Sequence, residues 1–89
     1  MNEELYELLE TEFLKHEIGD EVEDVLLALA ESLADGGVTG EESSYCEQAG
    51  DAKLTVFGTC EDGEDGEISV YIRSLKIDDE EYEIGDYFL

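Results

Sequence analysis

The sequence predicts an α+β fold in which two N-terminal helices pack on a three- to four-stranded antiparallel sheet. Residues 3–34 carry apolar side chains at helical spacing, and residues 53–85 carry short stretches that alternate with period two. A run of helices followed by a run of strands is typical of two packed layers. With 89 residues, the chain is long enough for one small domain, which we expect to span residues 1–89.

The first helix is predicted at residues 3–16. Leu5, Leu9 and Phe13 form an apolar stripe at spacings of four residues, and acids follow a second stripe beside it. Gly19 is expected to end the element, because glycine is the residue that most often terminates a helix.

The second helix is predicted at residues 21–34. It opens with the sequence DEVE, which has the pattern of a capping box with Asp20 as the cap and Glu23 reaching back to it. The sequence DGG at 35–37 supplies the stop. The predicted apolar face consists of Val22, Val25, Leu26, Leu29 and Leu33.

The remaining elements are a loop and short strands. Residues 38–51 show no clear period, so we expect a loop with one helical turn around Glu42–Glu47. The apolar parity changes between Ile72 and Leu75, which predicts a bulge near Arg73–Ser74. The sequence IDDEEYEIG predicts a tight hairpin, and the final DYFL is expected to complete a sheet edge. Strands are predicted at residues 53–58, 67–73, 75–78 and 81–85.

The acidic stretch at residues 60–67 resembles a calcium loop at first sight. With Gly66 at the required glycine position, Gly63 falls where an oxygen ligand belongs and Ile72 falls where the bidentate glutamate belongs. The stretch therefore fails as an EF-hand, and a glycine-permitted turn with solvated acids is favoured. The alternative is a weak, adventitious Ca²⁺ site formed by Asp62, Asp65 and Glu67.

The sequence favours neither a zinc site nor a catalytic one. Cys46 and Cys60 form no CxxC motif, and His16, at a helix end, is expected to be a surface residue. Two thiols are weak evidence for a disulfide, so we expect both to be free and partly buried. The chain has no nucleophile elbow and no phosphate-binding glycine loop. We therefore expect no enzyme activity, no bound metal and no cofactor.

The net charge is the extreme feature of the sequence. The chain has 27 acids and 4 bases, which gives −23, and the acids are spread over patterned segments rather than collected in a tail. Duplex DNA carries one charge per roughly 1.7 Å, so a duplex with as many charges is about 39 Å long. A compact domain of this length is roughly 30 Å across. The charge density along the protein is therefore comparable to that of DNA.

This make-up is similar to that of the small acidic inhibitors that phages and plasmids use against restriction enzymes, CRISPR effectors and DNA glycosylases. The resemblance covers charge and size over the whole chain and no sequence motif. It implies a DNA mimic that occupies the basic nucleic-acid site of such a protein, acts as a monomer or homodimer, and binds neither nucleic acid nor membrane. We expect it in the cytoplasm of a bacterial or archaeal host, because the N-terminus lacks the basic and apolar regions of a secretory signal.

Two alternatives stay open. An immunity protein or antitoxin would also be an acidic module that neutralises a basic partner. Halophilic adaptation would make the chain acidic without any bearing on function, although the excess of Glu over Asp and the many large aliphatic residues count against it.

The residues expected to contact the partner are acids on helices and turns, since rigid helices hold their spacing. They are Glu3, Glu7, Glu10, Glu17, Glu21, Asp24, Glu31, Asp62, Glu64, Asp65, Asp79 and Glu80. Exposed aromatic side chains would anchor such an interface, and the candidates are Tyr45, Tyr71 and Tyr87.

Overall fold

The computed structural model describes residues 2–36, 39–63 and 66–88. Two helices are followed by four strands that form one antiparallel sheet in the order β1-β2-β3-β4. This arrangement confirms the predicted α+β class. Both helices lie within two residues of the predicted bounds. The elements are α1 (Glu3–Lys15), α2 (Val22–Gly36), β1 (Glu42–Ala49), β2 (Ala52–Asp62), β3 (Ile68–Ile77) and β4 (Glu80–Phe88).

Residues 38–51 were predicted as a loop, but they contain strand β1 (Glu42–Ala49). The predicted loop and its helical turn at Glu42–Glu47 were therefore wrong. The strand lies at the edge of the sheet, where Tyr45 pairs with Val56 and Ala49 pairs with Ala52. Its inward positions include Ser43 and the exposed Glu47, so no hydrophobic alternation marks it. Backbone hydrogen bonds to β2 hold it in place, and a polar edge strand of this kind discourages further strand pairing.

The predicted bulge is confirmed, but it lies inside a strand rather than between two. Phe57 pairs with Ser74 and Gly58 pairs with Ile72, which leaves Arg73 as an extra residue of β3. The stretches predicted at 67–73 and 75–78 are therefore one continuous strand. The predicted tight hairpin is also confirmed, because Ile77 pairs with Glu80 across a two-residue turn. The last strand runs on through the predicted edge segment as far as Phe88.

The hydrophobic core lies between the helices and one face of the sheet. Helix α2 packs on all four strands, while α1 packs mainly on α2. Each fully buried Leu or Ile stabilises the fold by roughly 1.5–3 kcal/mol, which offsets the repulsion among the acids. The largest fully buried apolar side chains are Leu9, Val22, Leu26, Leu29, Leu33, Leu54, Val56, Val70, Ile72 and Leu75.

The two cysteines lie on opposite faces of the sheet, and both thiols are free, as predicted. Cys60 is buried under α2, where its Sγ donates to the carbonyl of Leu33 at 3.6 Å. Cys46 is exposed rather than partly buried. Its partner Thr55 alternates with the buried Leu54 and Val56, so Cys46 lies on the face that the helices leave uncovered.

Candidate functional site

The acids that the sequence placed on the helices point to solvent. Helix α1 buries Leu9 and Phe13, and α2 buries a stripe that includes Leu26 and Leu33, so the acids occupy the remaining faces. Four acids lie in first turns, where the positive end of the helix dipole stabilises them: Glu3, Glu4, Glu23 and Asp24. All seven predicted acids of this region are exposed: Glu3, Glu7, Glu10, Glu17, Glu21, Asp24 and Glu31.

Acids from both helices converge on Tyr6 of α1. Partial burial raises the pKa of Tyr6, and the negative charges of Glu10, Glu23, Glu21 and Asp24 raise it further. The phenol therefore stays protonated and able to donate a hydrogen bond at neutral pH. The same four carboxylates that would repel a tyrosinate would attract a cation at this position.

Tyr6 forms the wall of two adjoining grooves between the helices. One, of about 480 Å³, combines the apolar surfaces of Leu27 and Phe88 with the carboxylates of Glu3 and Glu23. The other, of about 230 Å³, contains Glu10, Asp20 and Glu21. We call these two grooves, together with Asp24, whose charge also acts on Tyr6, the helix groove. It is defined by Glu3, Tyr6, Glu10, Glu21, Glu23, Asp24, Leu27 and Phe88.

A third groove, of about 290 Å³, lies between the start of α2 and the end of β1. It contains Glu17, Asp20, Asp24 and Glu47, and so it shares Asp20 and Asp24 with the surroundings of Tyr6. Five predicted residues are thus gathered around the start of α2. They are Glu3, Glu10, Glu17, Glu21 and Asp24.

The other predicted residues are not part of this surface. Asp79 and Glu80 line a separate groove of about 270 Å³ at the end of α1. Asp62 ends β2, close to the C-terminal end of α2, and the 15 residues of that helix span about 22 Å. Glu7 and Glu31 are exposed but line none of the four grooves of the described residues. Glu64 and Asp65 lie outside the described residues.

His16 is not the plain surface residue that we expected. Its Nδ1 lies 2.9 Å from Oδ1 of Asp51 and its Nε2 lies 3.7 Å from Glu12, with only 24% of its side chain exposed. Asp78 is a third neighbour, at 3.9 Å. Within the described ranges, no group of three or more His, Cys, Asp or Glu side chains is arranged to hold a metal ion. The contacts of His16 instead join the end of α1 to two hairpin turns.

Sequence reasoning missed four residues of the helix groove, namely Tyr6, Glu23, Leu27 and Phe88. Tyr6 lies beside the apolar stripe of Leu5, Leu9 and Phe13 and is only partly buried. Glu23 was assigned to a capping box with Asp20, but α2 begins at Val22 and the carbonyl of Glu21 accepts the amide of Val25 at 3.0 Å. Glu23 could have been predicted from its position beside Asp24 in the first turn of α2, because acids in a first turn are exposed and the helix fixes the direction in which they leave the backbone.

The proposed aromatic anchors are distributed over both faces of the sheet. Tyr45 packs against the core and is not free to anchor a partner. Tyr71 and Tyr87 lie on the face away from the helices, with Tyr87 58% exposed. Their ring centroids are 5.0 Å apart.

Comparison of the chain with protein-family models, with curated proteins and with solved structures gives no match. Among the helices of the described residues, none combines the length and the apolar character that crossing a membrane requires.

Proposed function

We propose that this protein is an acidic nucleic-acid mimic that inhibits a nucleic-acid-processing protein by occupying its basic DNA- or RNA-binding site. One observation carries the proposal. The longest dimension of the molecule is 39 Å and its net charge is −23. A duplex of that length carries about 23 phosphate charges at one per roughly 1.7 Å. Charge and length therefore match those of the polyanion that such a site binds.

The helix groove is the surface that would enter the basic site. Its acids lie on α1 and at the start of α2, and the two helices share one core, so the spacing of the backbone positions that carry them is fixed before binding. Arginine suits such a groove, because its guanidinium pairs with carboxylates and its stem and plane pack on apolar and aromatic surfaces. Tyr6, Leu27 and Phe88 supply those surfaces. The groove can thus anchor a partner, while the remaining acids steer it electrostatically.

The inhibitors that phages and plasmids direct against restriction enzymes and CRISPR effectors belong to this functional class. We propose that this protein is likewise encoded by a phage or plasmid and acts in the cytoplasm of a bacterial or archaeal host. The protein would bind its target as a monomer or homodimer, without catalysis, without a cofactor and without contact to nucleic acid.

A capture experiment tests the proposal. The tagged protein is incubated with nuclease-treated host lysate, washed, and eluted with duplex DNA or RNA. We expect one basic nucleic-acid-binding protein to be retained and then released by the competing polyanion, because both ligands use the same site. If nucleic acid does not release the captured protein, mimicry is contradicted, and an immunity protein or antitoxin that binds elsewhere on its target is favoured.

Two matched variants locate the contact surface. One neutralises the groove through Glu10→Gln, Glu21→Gln, Glu23→Gln and Asp24→Asn. The control neutralises four exposed acids outside the helix groove through Asp35→Asn, Glu41→Gln, Glu61→Gln and Glu67→Gln. Both lose four charges, so they alter long-range steering to a similar degree. We expect at least a hundredfold loss of affinity for the groove variant and less than tenfold for the control, whereas equal losses would exclude the groove as the contact surface.

Salt dependence separates the proposal from halophilic adaptation. A mimic from an ordinary cytoplasm must be folded at ~0.1 M salt, where the Debye length is about 10 Å. Circular dichroism should therefore show the folded state at low salt, with some gain in melting temperature as salt screens the repulsion. Folding that requires molar salt, together with no captured protein, would support adaptation to a saline cell instead.

A further inference from the structure

We propose that the face of the sheet away from the helices is a self-complementary interface through which two copies of this chain form a homodimer. This inference is independent of the proposed function, because it concerns the opposite side of the molecule from the helix groove. It rests on the distribution of charge, on the ordered aromatic side chains and on the area of the face. We call this surface the open sheet face.

The strand pairings define which side chains the open sheet face presents. Residues paired across neighbouring strands point to the same side, and these pairs alternate with the buried ones. One row across all four strands consists of Glu42, Thr59, Tyr71 and Tyr87. The next rows consist of Ser44, Phe57, Ser74 and Glu83, of which Ser74 is buried, and of Cys46, Thr55, Lys76 and Glu81.

Charge distinguishes the open sheet face from the rest of the molecule. Three of the four basic residues of the chain stand on it, namely Lys53, Arg73 and Lys76. They are interspersed with acids from β1 and β4, including Glu42 and Glu81. In a two-fold interface the same patch meets itself, so both signs must be present if charges are to pair. The helices contain one basic residue, Lys15, so a two-fold contact through the helices would place acids opposite acids and be repulsive.

The open sheet face is also ordered before any partner arrives. The guanidinium of Arg73 lies over the Phe57 ring at 5.7 Å and donates two hydrogen bonds to Oε1 of Glu42, at 2.9 and 3.2 Å. Beside it, Tyr71 and Tyr87 pack in a tilted ring pair. These contacts fix large side chains that would otherwise lose rotamer freedom on association. Tyrosine and arginine are also the residue types that anchor protein interfaces most often.

The area is sufficient for a weak dimer. Four strands spaced about 4.8 Å apart and about 30 Å long give a face of roughly 600 Å². Two such faces bury about 1,200 Å² in total, which is the lower limit of specific interfaces. The net charge of −23 on each copy opposes association over a longer range. We therefore expect a dissociation constant in the micromolar range or weaker, and one that decreases as salt rises.

Sedimentation equilibrium of the full chain tests the dimer. We expect a monomer–dimer equilibrium between low micromolar and millimolar protein, shifted toward dimer from ~0.1 M to ~1 M NaCl as the Debye length falls from about 10 to about 3 Å. On dilution, amide NMR signals of outward-facing strand residues should shift, and those of α1 and α2 should not. A monomer at every concentration in ~1 M NaCl would overturn the proposal.

Two matched pairs of variants assign the interface. Tyr87→Glu and Leu14→Glu each replace an exposed apolar side chain by an acid, the first on the open sheet face and the second on α1. Lys76→Glu and Lys15→Glu make the same change of charge on those two sides. We expect the sheet variants to weaken the dimer at least tenfold and the helix variants less than threefold. Equal effects within both pairs, or a larger effect of Leu14→Glu than of Tyr87→Glu, would show that the face is not the interface.

Discussion

His16 and Asp51 contact each other through both backbone and side chain. The amide of Asp51 donates to the carbonyl of His16 at 3.0 Å, and Nδ1 of His16 lies 2.9 Å from Oδ1 of Asp51. Gly50, which precedes Asp51, has φ of +57°, and a Cβ there would collide with the same carbonyl. The turn between β1 and β2 is thus seated directly on the end of α1.

We expect this pair to contribute modestly to stability. The Asp51 side chain is 63% exposed, so a double-mutant cycle of His16→Ala and Asp51→Ala should give a coupling of about 0.2–1 kcal/mol. Urea unfolding provides the four free energies. Lys15→Ala, at a neighbouring residue with a 71% exposed side chain, serves as the control and should change stability by less than about 0.5 kcal/mol. A coupling of zero would mean that the backbone contact alone holds the β1–β2 turn against the end of α1.

Glu17 adopts the left-handed backbone conformation at the end of α1, with φ of +59°. The amide of Ile18 donates to the carbonyl of Phe13 at 2.8 Å, which is the long hydrogen bond of a Schellman motif. Glycine is the usual residue there because a Cβ strains that conformation. We therefore expect Glu17→Gly to raise the free energy of unfolding by about 0.5–1 kcal/mol. Glu17→Gln keeps the Cβ and removes only the charge, so an equal gain from it would assign the effect to repulsion instead.

The helices could be predicted from the sequence because their signal is local. Leu5, Leu9 and Phe13 recur within one element, and no distant segment is needed to recognise them. Strand β1 could not be predicted, because its polar residues carry no period of their own. Its conformation comes from hydrogen bonds to β2, which form only once the sheet is assembled.

The candidate site was predictable in its chemistry and not in its geometry. Acids at Glu10, Glu21 and Asp24 follow from helical spacing, which keeps them off the apolar faces. Their convergence on Tyr6 depends on how the two helices cross. That crossing follows from the turn at Glu17, whereas the sequence pointed to Gly19 as the stop.

Gly58 allows β2 to lie close to β3 at the bulge and α2 to lie close to the sheet. A Cβ at this position would collide with the carbonyl of Tyr71 and would lie 3.1 Å from Cδ2 of Leu33. Because the first contact is backbone, a side-chain rearrangement cannot relieve it. We expect Gly58→Ala to lower the free energy of unfolding by about 2 kcal/mol or more. Gly36→Ala is the control, since nothing lies within 4 Å of its added Cβ, and near-equal stability of the two variants would contradict this packing.

The Tyr82 hydroxyl donates to Oε2 of Glu80 at 2.6 Å. This hydrogen bond, together with burial and the charges of Glu12 and Glu80, raises the pKa of Tyr82 from 10.0 to about 12. The folded state therefore holds the phenol proton more tightly than the unfolded state does. The resulting stabilisation is fully present below about pH 10 and is lost as pH rises toward about 12. Stability measured over this window should fall more steeply for the native chain than for Tyr82→Phe.

An ultraviolet titration of tyrosinate in high salt measures the same effect directly. Tyr82→Phe should remove the ionisation step near pH 12 and so assign it. Glu80→Gln leaves the phenol in place but removes the charged acceptor, so the Tyr82 step should move toward pH 10. Because Glu80 is exposed, this variant should keep the fold, which circular dichroism can verify. If the high step persists unchanged in Glu80→Gln, burial rather than the hydrogen bond sets the pKa of Tyr82.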